Sequence, residues 1–286
     1  MYAVTGVTGK VGSAVARTLL QAGLPVRAIV RDEEKGKPWA ALGAEVAIAD
    51  ISDAEALTTA FAGAAGVFLM TPPNYDPAPG FPVTVANAAA VKAAIDAACP
   101  GKVVFLSTVG AQVSEFNLLN NSKLTEEMLR TVSVPVSFVR AAWFMENAAW
   151  DIDAARSGKI PSYLQPLDHP IAMVAAVDIA RTITEVLRES WNGVRVVELE
   201  GPKRYSANDI ASAFAAALGH PVHMEPVPRE TWEARFRAEG MKHPLARIRM
   251  VDGFNEGWID FEGGGAEQRK GLVTLDKAIS VLVKGT

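Results

Sequence analysis

The chain has 286 residues, 49% hydrophobic and 21% charged, with a formal net charge of −4 and a single cysteine, Cys99. A chain of this length buries a large core. Its negative balance argues against non-specific nucleic-acid binding, which draws on a basic surface, and one cysteine cannot close an internal disulfide.

Met1–Val4 reads as a short strand and Gly12–Ala22 as a helix, with Val15, Leu19 and Leu20 recurring at helical spacing. Glycines and Lys10 follow the apolar start, so the N-terminus does not read as a secretory signal, and the Ala-rich stretches are too short or interrupted for a membrane span. The expectation is a cytoplasmic protein with no membrane partner. Strands are expected over Val26–Val30 and Glu45–Ala49, then a helix over Asp53–Phe61 capped by Ser52 or Asp53. The apolar strand Gly66–Met70 ends at "TPP". The Ala-rich helix Val83–Ala98 stops at Pro100-Gly101, before the strand Val103–Leu106. A helix over Ser122–Arg130 and a strand over Val136–Val139 follow.

Such alternation predicts an α/β fold, a Rossmann-type doubly wound parallel sheet. Ligands of these sheets lie beyond the carboxyl ends of the strands, at the switch point. That rule selects Thr5–Gly12, Arg31-Asp32, Asp50-Ile51, Met70–Pro73, Ser107–Gly110 and Ala141–Phe144. After about residue 150 the alternation breaks down. A helix over Val177–Glu189 and a strand over Val194–Leu199 precede a helix capped by Ser206 and Asp209 that runs to Leu218. A strand over Val222–Val227, a helix in "RETWEARFRAEG" ended by Gly240, and the Gly-rich "VDGFNEGWIDFEGGG" complete the pattern. The expected division is a first domain over 1–150 and a smaller, mostly helical domain over 151–286, some of whose strands return to the main sheet.

In "TGVTGKVG", Gly6, Gly9 and Gly12 fall as G-x-x-G-x-x-G between a predicted strand and a predicted helix. Such a turn lets a diphosphate sit on the free N–H groups at a helix N-terminus, so residues 1–150 read as an NAD(P)-binding domain. The second strand ends in "VRD". Arg31 suits the 2'-phosphate of NADP, while Asp32 can cap the next segment; NADP(H) is favoured over NAD(H). Arg31 can also be read as a solvated surface charge. Asp50 and Ile51 are candidates to flank an adenine, with Asp50 alternatively a helix cap.

"TGVTGKVG", "VRD", "AD" after the third strand, "STVGA", "SKLTEEMLR" and "VRAAWFMEN", in this order, resemble the NmrA-like family of atypical short-chain dehydrogenases/reductases, in its NAD(P)H:quinone oxidoreductase-like branch. The resemblance extends through "HPIAMVAAVDIAR" and "LEGPKRYSANDIASAF". It implies a Rossmann domain, bound NADP(H) and a cleft under a small C-terminal substrate-binding domain. Carried over by position, it puts the diphosphate on Gly6, Thr8, Gly9, Val11 and Gly12, the 2'-phosphate at Arg31 and the adenine at Asp50 and Ile51. The nicotinamide side falls near Met70, Thr71, Ser107, Lys123 and Phe144, with Asn147 near the cleft; Asn147 can equally be a helix-start cap.

Typical short-chain dehydrogenases use Tyr-x-x-x-Lys. Lys123 matches the lysine, but four residues earlier stands Leu119, and Tyr2, Tyr75, Tyr163 and Tyr205 all lie elsewhere. Ordinary alcohol–ketone chemistry is therefore disfavoured. Hydride transfer to a quinone or related conjugated carbonyl asks less of the protein, because the cofactor carries the chemistry. Lys123 is the catalytic candidate, or else an exposed helix lysine paired with Glu126 or Glu127. The alternatives are a non-catalytic NAD(P)-sensing regulator and an imine or enone reductase of secondary metabolism. Tyr75, Trp143, Asn147, Trp232 and Phe254 are candidates to line the acceptor slot, each with a reading as ordinary core. His220, His223 and Glu225 match a metal site too loosely, so no metal is expected, and no G-x-S-x-G nucleophile elbow is present. The expected partner is a small-molecule acceptor such as a quinone, with the protein a monomer or homodimer.

Overall fold

The computed structural model describes residues 1–285. The first half runs β1 (Tyr2–Val4), α1 (Lys10–Gln21), β2 (Val26–Val30), α2 (Glu33–Ala41), β3 (Glu45–Ile48), α3 (Ala54–Phe61) and β4 (Gly66–Leu69). It continues through α4 (Pro82–Ala98), β5 (Val103–Thr108), α5 (Asn120–Leu129) and β6 (Val136–Ala141). Next come β7 (Trp143–Phe144), a 3-10 helix (Met145–Asp151), α6 (Ile152–Arg156), β8 (Lys159–Ser162), β9 (Ile171–Val174), α7 (Ala176–Arg188) and β10 (Val194–Glu200). The chain ends with β11 (Arg204–Tyr205), α8 (Ala207–Leu218), β12 (His223–Pro226), α9 (Trp232–Ala238), α10 (Leu245–Glu256), β13 (Glu267–Lys270) and α11 (Leu275–Lys284).

Eight strands pair in the order β13-β10-β6-β5-β4-β1-β2-β3, every pair parallel. β1 and β4 sit side by side at the switch point, with β2 and β3 wound one way and β5, β6, β10 and β13 the other. Alternation along each strand splits its side chains between two cores. Val4, Phe68, Val104, Val139 and Val197 pack with α1 and α7 on one face; Ala3, Val67, Phe105 and Phe138 meet α3, α4 and α5 on the other. Buried on both faces, these strands read as continuous apolar runs.

β10 and β13 bring chain from beyond residue 150 back into the main sheet. The remainder forms a three-stranded sheet, β11-β9-β7, and a parallel pair, β12-β8. A second core gathers Met145, Ile160, Met173, Tyr205, Phe214, Phe254 and Ile279 around them.

Several elements differ from the sequence expectation. α2 carries Gly36 and Pro38, which hide its periodicity; it forms because Asp32 accepts from the Lys35 N–H and because Gly36 lets the helix close on Val46. "VDGFNEG" is not an irregular segment but the end of α10. A Cβ at Gly253 would come within 2.6 Å of Ile259 and 2.7 Å of Trp258, so this glycine is there for close packing inside a helix. β13, "EQRK", has no apolar alternation and is an edge strand held by ion pairs, Arg195–Glu267 at 2.6 Å and Arg269–Glu189 at 2.9 Å.

Candidate active site

The site begins where β1 and β4 end. The Thr5 hydroxyl donates to the Phe68 carbonyl at 3.2 Å and accepts from the Met70 N–H at 2.9 Å, tying the two strand ends together. Gly6 turns there with φ +66°, and a Cβ on it would lie 2.4 Å from Met70 Sδ. The turn then doubles back so tightly that a Cβ on Gly12 would meet the Gly6 carbonyl oxygen at 2.2 Å.

This packing leaves α1 open at its N-terminus. Its N-cap, Gly9, has no side chain to bond the first turn, and no acid lies in that turn. α2, α3 and α8, by contrast, are capped by Asp32, Asp53 and Ser206. Free N–H groups and the positive end of a helix dipole suit an anion. The glycine-rich turn therefore fits a dinucleotide diphosphate. Thr8 is exposed on it, whereas Val11 turns its side chain into the core and has only backbone to offer.

At the ends of β2 and β3, Arg31 is exposed and close to two carboxylates. Hydrogen bonds from Ser52, and behind them the Arg31 charge, hold Asp50 below the usual carboxylate range. Lys35 does the same for Asp32, again with Arg31 adding to it. Asp53, not Asp50, caps α3, and the Asp50 carboxylate accepts from the Ser52 N–H and hydroxyl next to the half-buried Ile51.

At the other end of the crevice, Ser107 is buried and its hydroxyl donates to Glu126 on α5 at 2.5 Å. Glu126 is held bidentately by Arg140, with Nε–Oε1 2.9 Å and Nη2–Oε2 2.8 Å. Ser107, Arg140, Glu198 and Gln268 are in register across β5, β6, β10 and β13, a polar row one or two residues short of the strand ends. The sequence pattern did not single out Arg140 or Glu126. An arginine inside the apolar run "VSFVRAAWF" was the available signal, since a buried charge needs a partner.

Lys123 lies on the same helix, and its ammonium pairs with Glu127 at 2.7 Å. Leu119 packs over Gly110, its Cδ1 3.5 Å from where a Cβ would stand, so an aliphatic side chain and not a phenol stands four residues before Lys123. Met70 and Phe144 pack at the edge of the core lining α1, and Thr71 is half-buried beside them. Asn147 is not a cap: Phe144 precedes the 3-10 helix as its N-cap without a side-chain cap bond, and Asn147 lies inside the helix. With three residues per turn, Phe144, Asn147 and Trp150 share one face; Met145 and Ala148 on another are 1% and 5% exposed.

Glu146 on this helix turns back toward the start of α7 and Lys10. Both its oxygens accept from the Ala176 N–H, at 2.9 and 3.0 Å, capping α7. Burial pushes its carboxyl up, against those bonds and the nearby Lys10 charge.

The segment leaving β4 crosses the crevice as a strap. Asn121 Nδ2 donates to the Asn74 carbonyl at 3.2 Å, Tyr75 meets Trp150 edge-on with ring centroids 6.1 Å apart, and the Asp76 carboxylate accepts from the N–H groups of Lys242 at 2.8 Å and His243 at 2.6 Å. Three consecutive residues are thus fixed to three different elements. Trp143 packs edge-on against Phe254 at 5.2 Å, and Phe254 lines a cavity of about 220 Å³ with Val109, Ile171 and the Arg204–Asp260 pair.

Trp232 is not in the cleft. It is 1% exposed, in a small core with Val227, Phe236 and Ile248, and its indole N–H donates to the Val227 carbonyl at 2.8 Å. A tryptophan near two arginines and a Gly-ended helix gives no sequence signal that separates core from cleft. Of the loose metal candidates, Glu225 is paired with Lys159 at 2.6 Å.

A parallel sheet crossed at its switch point by an uncapped, glycine-led helix defines a Rossmann-type nucleotide-binding protein. The NmrA-like family model matches residues 2–261, and the chain belongs to that family. It is 28% identical over 254 residues to an NAD(P)H azoreductase of Xenophilus azovorans, covering 86% of this chain and 84% of that one. It is 26% identical over 252 residues to quinone oxidoreductase 2 of Escherichia coli, again covering 86% and 84%. The crystal structure of the NADPH-dependent quinone oxidoreductase of Escherichia coli with NADPH superposes with a TM-score of 0.81 at 25% identity, over 99% of both chains.

Proposed function

We propose that this protein, an NAD(P)H-dependent oxidoreductase, uses NADPH to reduce a quinone or a related conjugated carbonyl compound. Bound NADPH supplies a hydride. With one proton from water, that hydride turns a quinone into its hydroquinone and leaves NADP⁺, so electrons and protons balance.

The residues divide the work along the crevice. The open N-terminus of α1, with Gly6, Gly9 and Gly12, holds the diphosphate. Arg31 takes the 2'-phosphate, where a guanidinium can make paired charge-assisted hydrogen bonds. Asp50 and Ile51 flank the adenine. Met70, Thr71 and Phe144 wall the nicotinamide end, with Ser107 at its base, and Lys123 exchanges Glu127 for the ribose hydroxyls. The Ser107–Glu126–Arg140 bonds fix α5, and with it Lys123, against the sheet.

The observation that carries the acceptor class is Leu119 packed over Gly110, four residues before Lys123. With no phenol at that position to relay a proton, the acceptor is one whose reduced form is stable enough to be protonated from water. A quinone is such an acceptor; a simple ketone is not. Support comes from the relatives' names, a quinone oxidoreductase and an azoreductase, neither of them an alcohol dehydrogenase.

Steady-state oxidation of NADPH followed at its nicotinamide absorbance, with and without a panel of benzoquinones, naphthoquinones, enals and imines, tests this. Acceleration by quinones is expected. Tight NADPH binding with no acceleration by any acceptor would sink the reductase reading in favour of a nucleotide-sensing role.

A further inference from the structure

Trp150 is 69% exposed, more than any other aromatic side chain among the described residues, and Tyr75, which touches it, is 51% exposed. Neither is a stray surface residue. Tyr75 sits between Asn74 and Asp76, both anchored, and Trp150 ends a 3-10 helix whose inner face is core. Holding an indole rigid yet open to water is unfavourable unless something covers it.

Their placement says where that something lies. β4 and β6 flank β5 in the sheet. Tyr75 lies on the chain leaving β4 and Trp150 on the chain leaving β6 and β7, so their contact arches over the C-terminal end of β5. The rings meet with planes 84° apart. This edge-on geometry uses one ring's edge and leaves a broad aromatic face open. Phe144, Asn147 and Trp150 form a stripe along the 3-10 helix, running outward for roughly 12 Å at about 2 Å per residue. That run exceeds a single six-membered ring, and each further fused ring reaches further out along it.

We infer that Trp150 and Tyr75 form an outer aromatic subsite that selects planar acceptors of two or more fused rings over single-ring ones. The inner ring reaches the hydride beside Phe144, and the further rings extend outward along the stripe toward the indole. Asn147, between the two, offers an amide to a carbonyl or hydroxyl on the ring system. The inference rests on the reductase reading for its inner end only; the outer face exists whether or not turnover occurs.

The test compares wild type with Trp150→Ala, Trp150→Phe and Tyr75→Ala, each checked for an unchanged melting transition. The readout is the ratio of kcat/KM for 1,4-naphthoquinone to that for 1,4-benzoquinone. Loss of an aromatic stack is expected to lower this ratio about tenfold in Trp150→Ala, with Trp150→Phe recovering most of it. An unchanged ratio overturns the subsite. A second measurement is independent of turnover: titration of the NADP⁺-saturated protein with 1,4-naphthoquinone, followed by calorimetry. Naphthoquinone binding about tenfold weaker in Trp150→Ala supports the subsite, and equal binding overturns it. Failure of every acceptor to oxidise NADPH would defeat the proposed function while leaving this second result to judge the subsite alone.

Discussion

Arg140 and Glu126 face each other through two parallel hydrogen bonds of 2.9 and 2.8 Å, with side chains only 2% and 3% exposed. Arg140 also donates to Glu262 at 2.7 Å, but that carboxylate is 54% exposed. The same guanidinium thus has two buried carboxylates beside it, Glu126 in the bidentate pair and Glu198 at 3.9 Å, and one wet one, Glu262.

Removing Glu126 takes away both of the short bonds that hold the buried guanidinium on this side and leaves it the longer Glu198 contact. Glu126→Ala is expected to cost about 3–5 kcal/mol, whereas Glu262→Ala, at the wet end, is expected to cost at most about 1 kcal/mol. Urea unfolding of both variants measures the difference; equal losses would mean the buried bidentate pair is not what holds α5 to the sheet.

In the proposed function Arg31 and Lys123 are assigned to different parts of the cofactor. Arg31→Ala is expected to weaken NADPH by about ten- to a hundredfold while leaving NADH within about twofold, because only NADPH carries the extra phosphate. Lys123→Ala is expected to weaken both cofactors alike, since the nicotinamide ribose is common to them. Calorimetric titration with each cofactor separates the two patterns, and an equal loss on Arg31→Ala removes the 2'-phosphate assignment.

Gly12 admits no side chain, because the Gly6 carbonyl oxygen would lie 2.2 Å from its Cβ. Gly12→Ala is expected to destabilise the fold by about 2 kcal/mol or more and to abolish the rise in melting temperature that NADPH produces. Gly23, at φ +72° with nothing within 4 Å of its Cβ, is the control. Its replacement by alanine carries only local backbone strain of roughly 1–2 kcal/mol and is expected to leave the NADPH effect intact.

Burial pushes the Asp151 carboxyl from its ordinary 3.8 up to about 6. The folded state therefore binds this proton more tightly than the unfolded state. Stability is lost as pH rises from about 4 to about 6, and the full penalty, at most about 3 kcal/mol, applies above that. Asp151→Asn is expected to stabilise the protein at pH 8 and to change it little at pH 4. Denaturant midpoints across that range check it; a variant less stable than wild type at pH 8 would contradict it.

The strand ends and the glycine turn were legible because their signals are local. Apolar runs bounded by turn residues marked every inner strand, and the three-residue spacing of Gly6, Gly9 and Gly12 marked the diphosphate turn within one stretch of chain. α2, β13 and the helical part of "VDGFNEG" were not legible. Gly36 and Gly253 read as breakers in sequence but serve contacts with Val46, Ile259 and Trp258, which come from elsewhere along the chain.

The sequence by itself determined the class of fold and the family, because strand period, turn chemistry and helix capping act over a few residues. It also determined the absence of a phenol four residues before Lys123. Only the tertiary structure decided which aromatics are core and which are open. Trp232 and Trp150 look alike in sequence, yet one is enclosed by Val227 and Phe236 and the other stands over the end of β5. It likewise decided that Lys123 rests on Glu127 while Glu126 turns inward to Arg140 and Ser107. Such choices depend on which distant segment arrives beside a residue, and that is settled by packing the sheet, not by the order of residues around it.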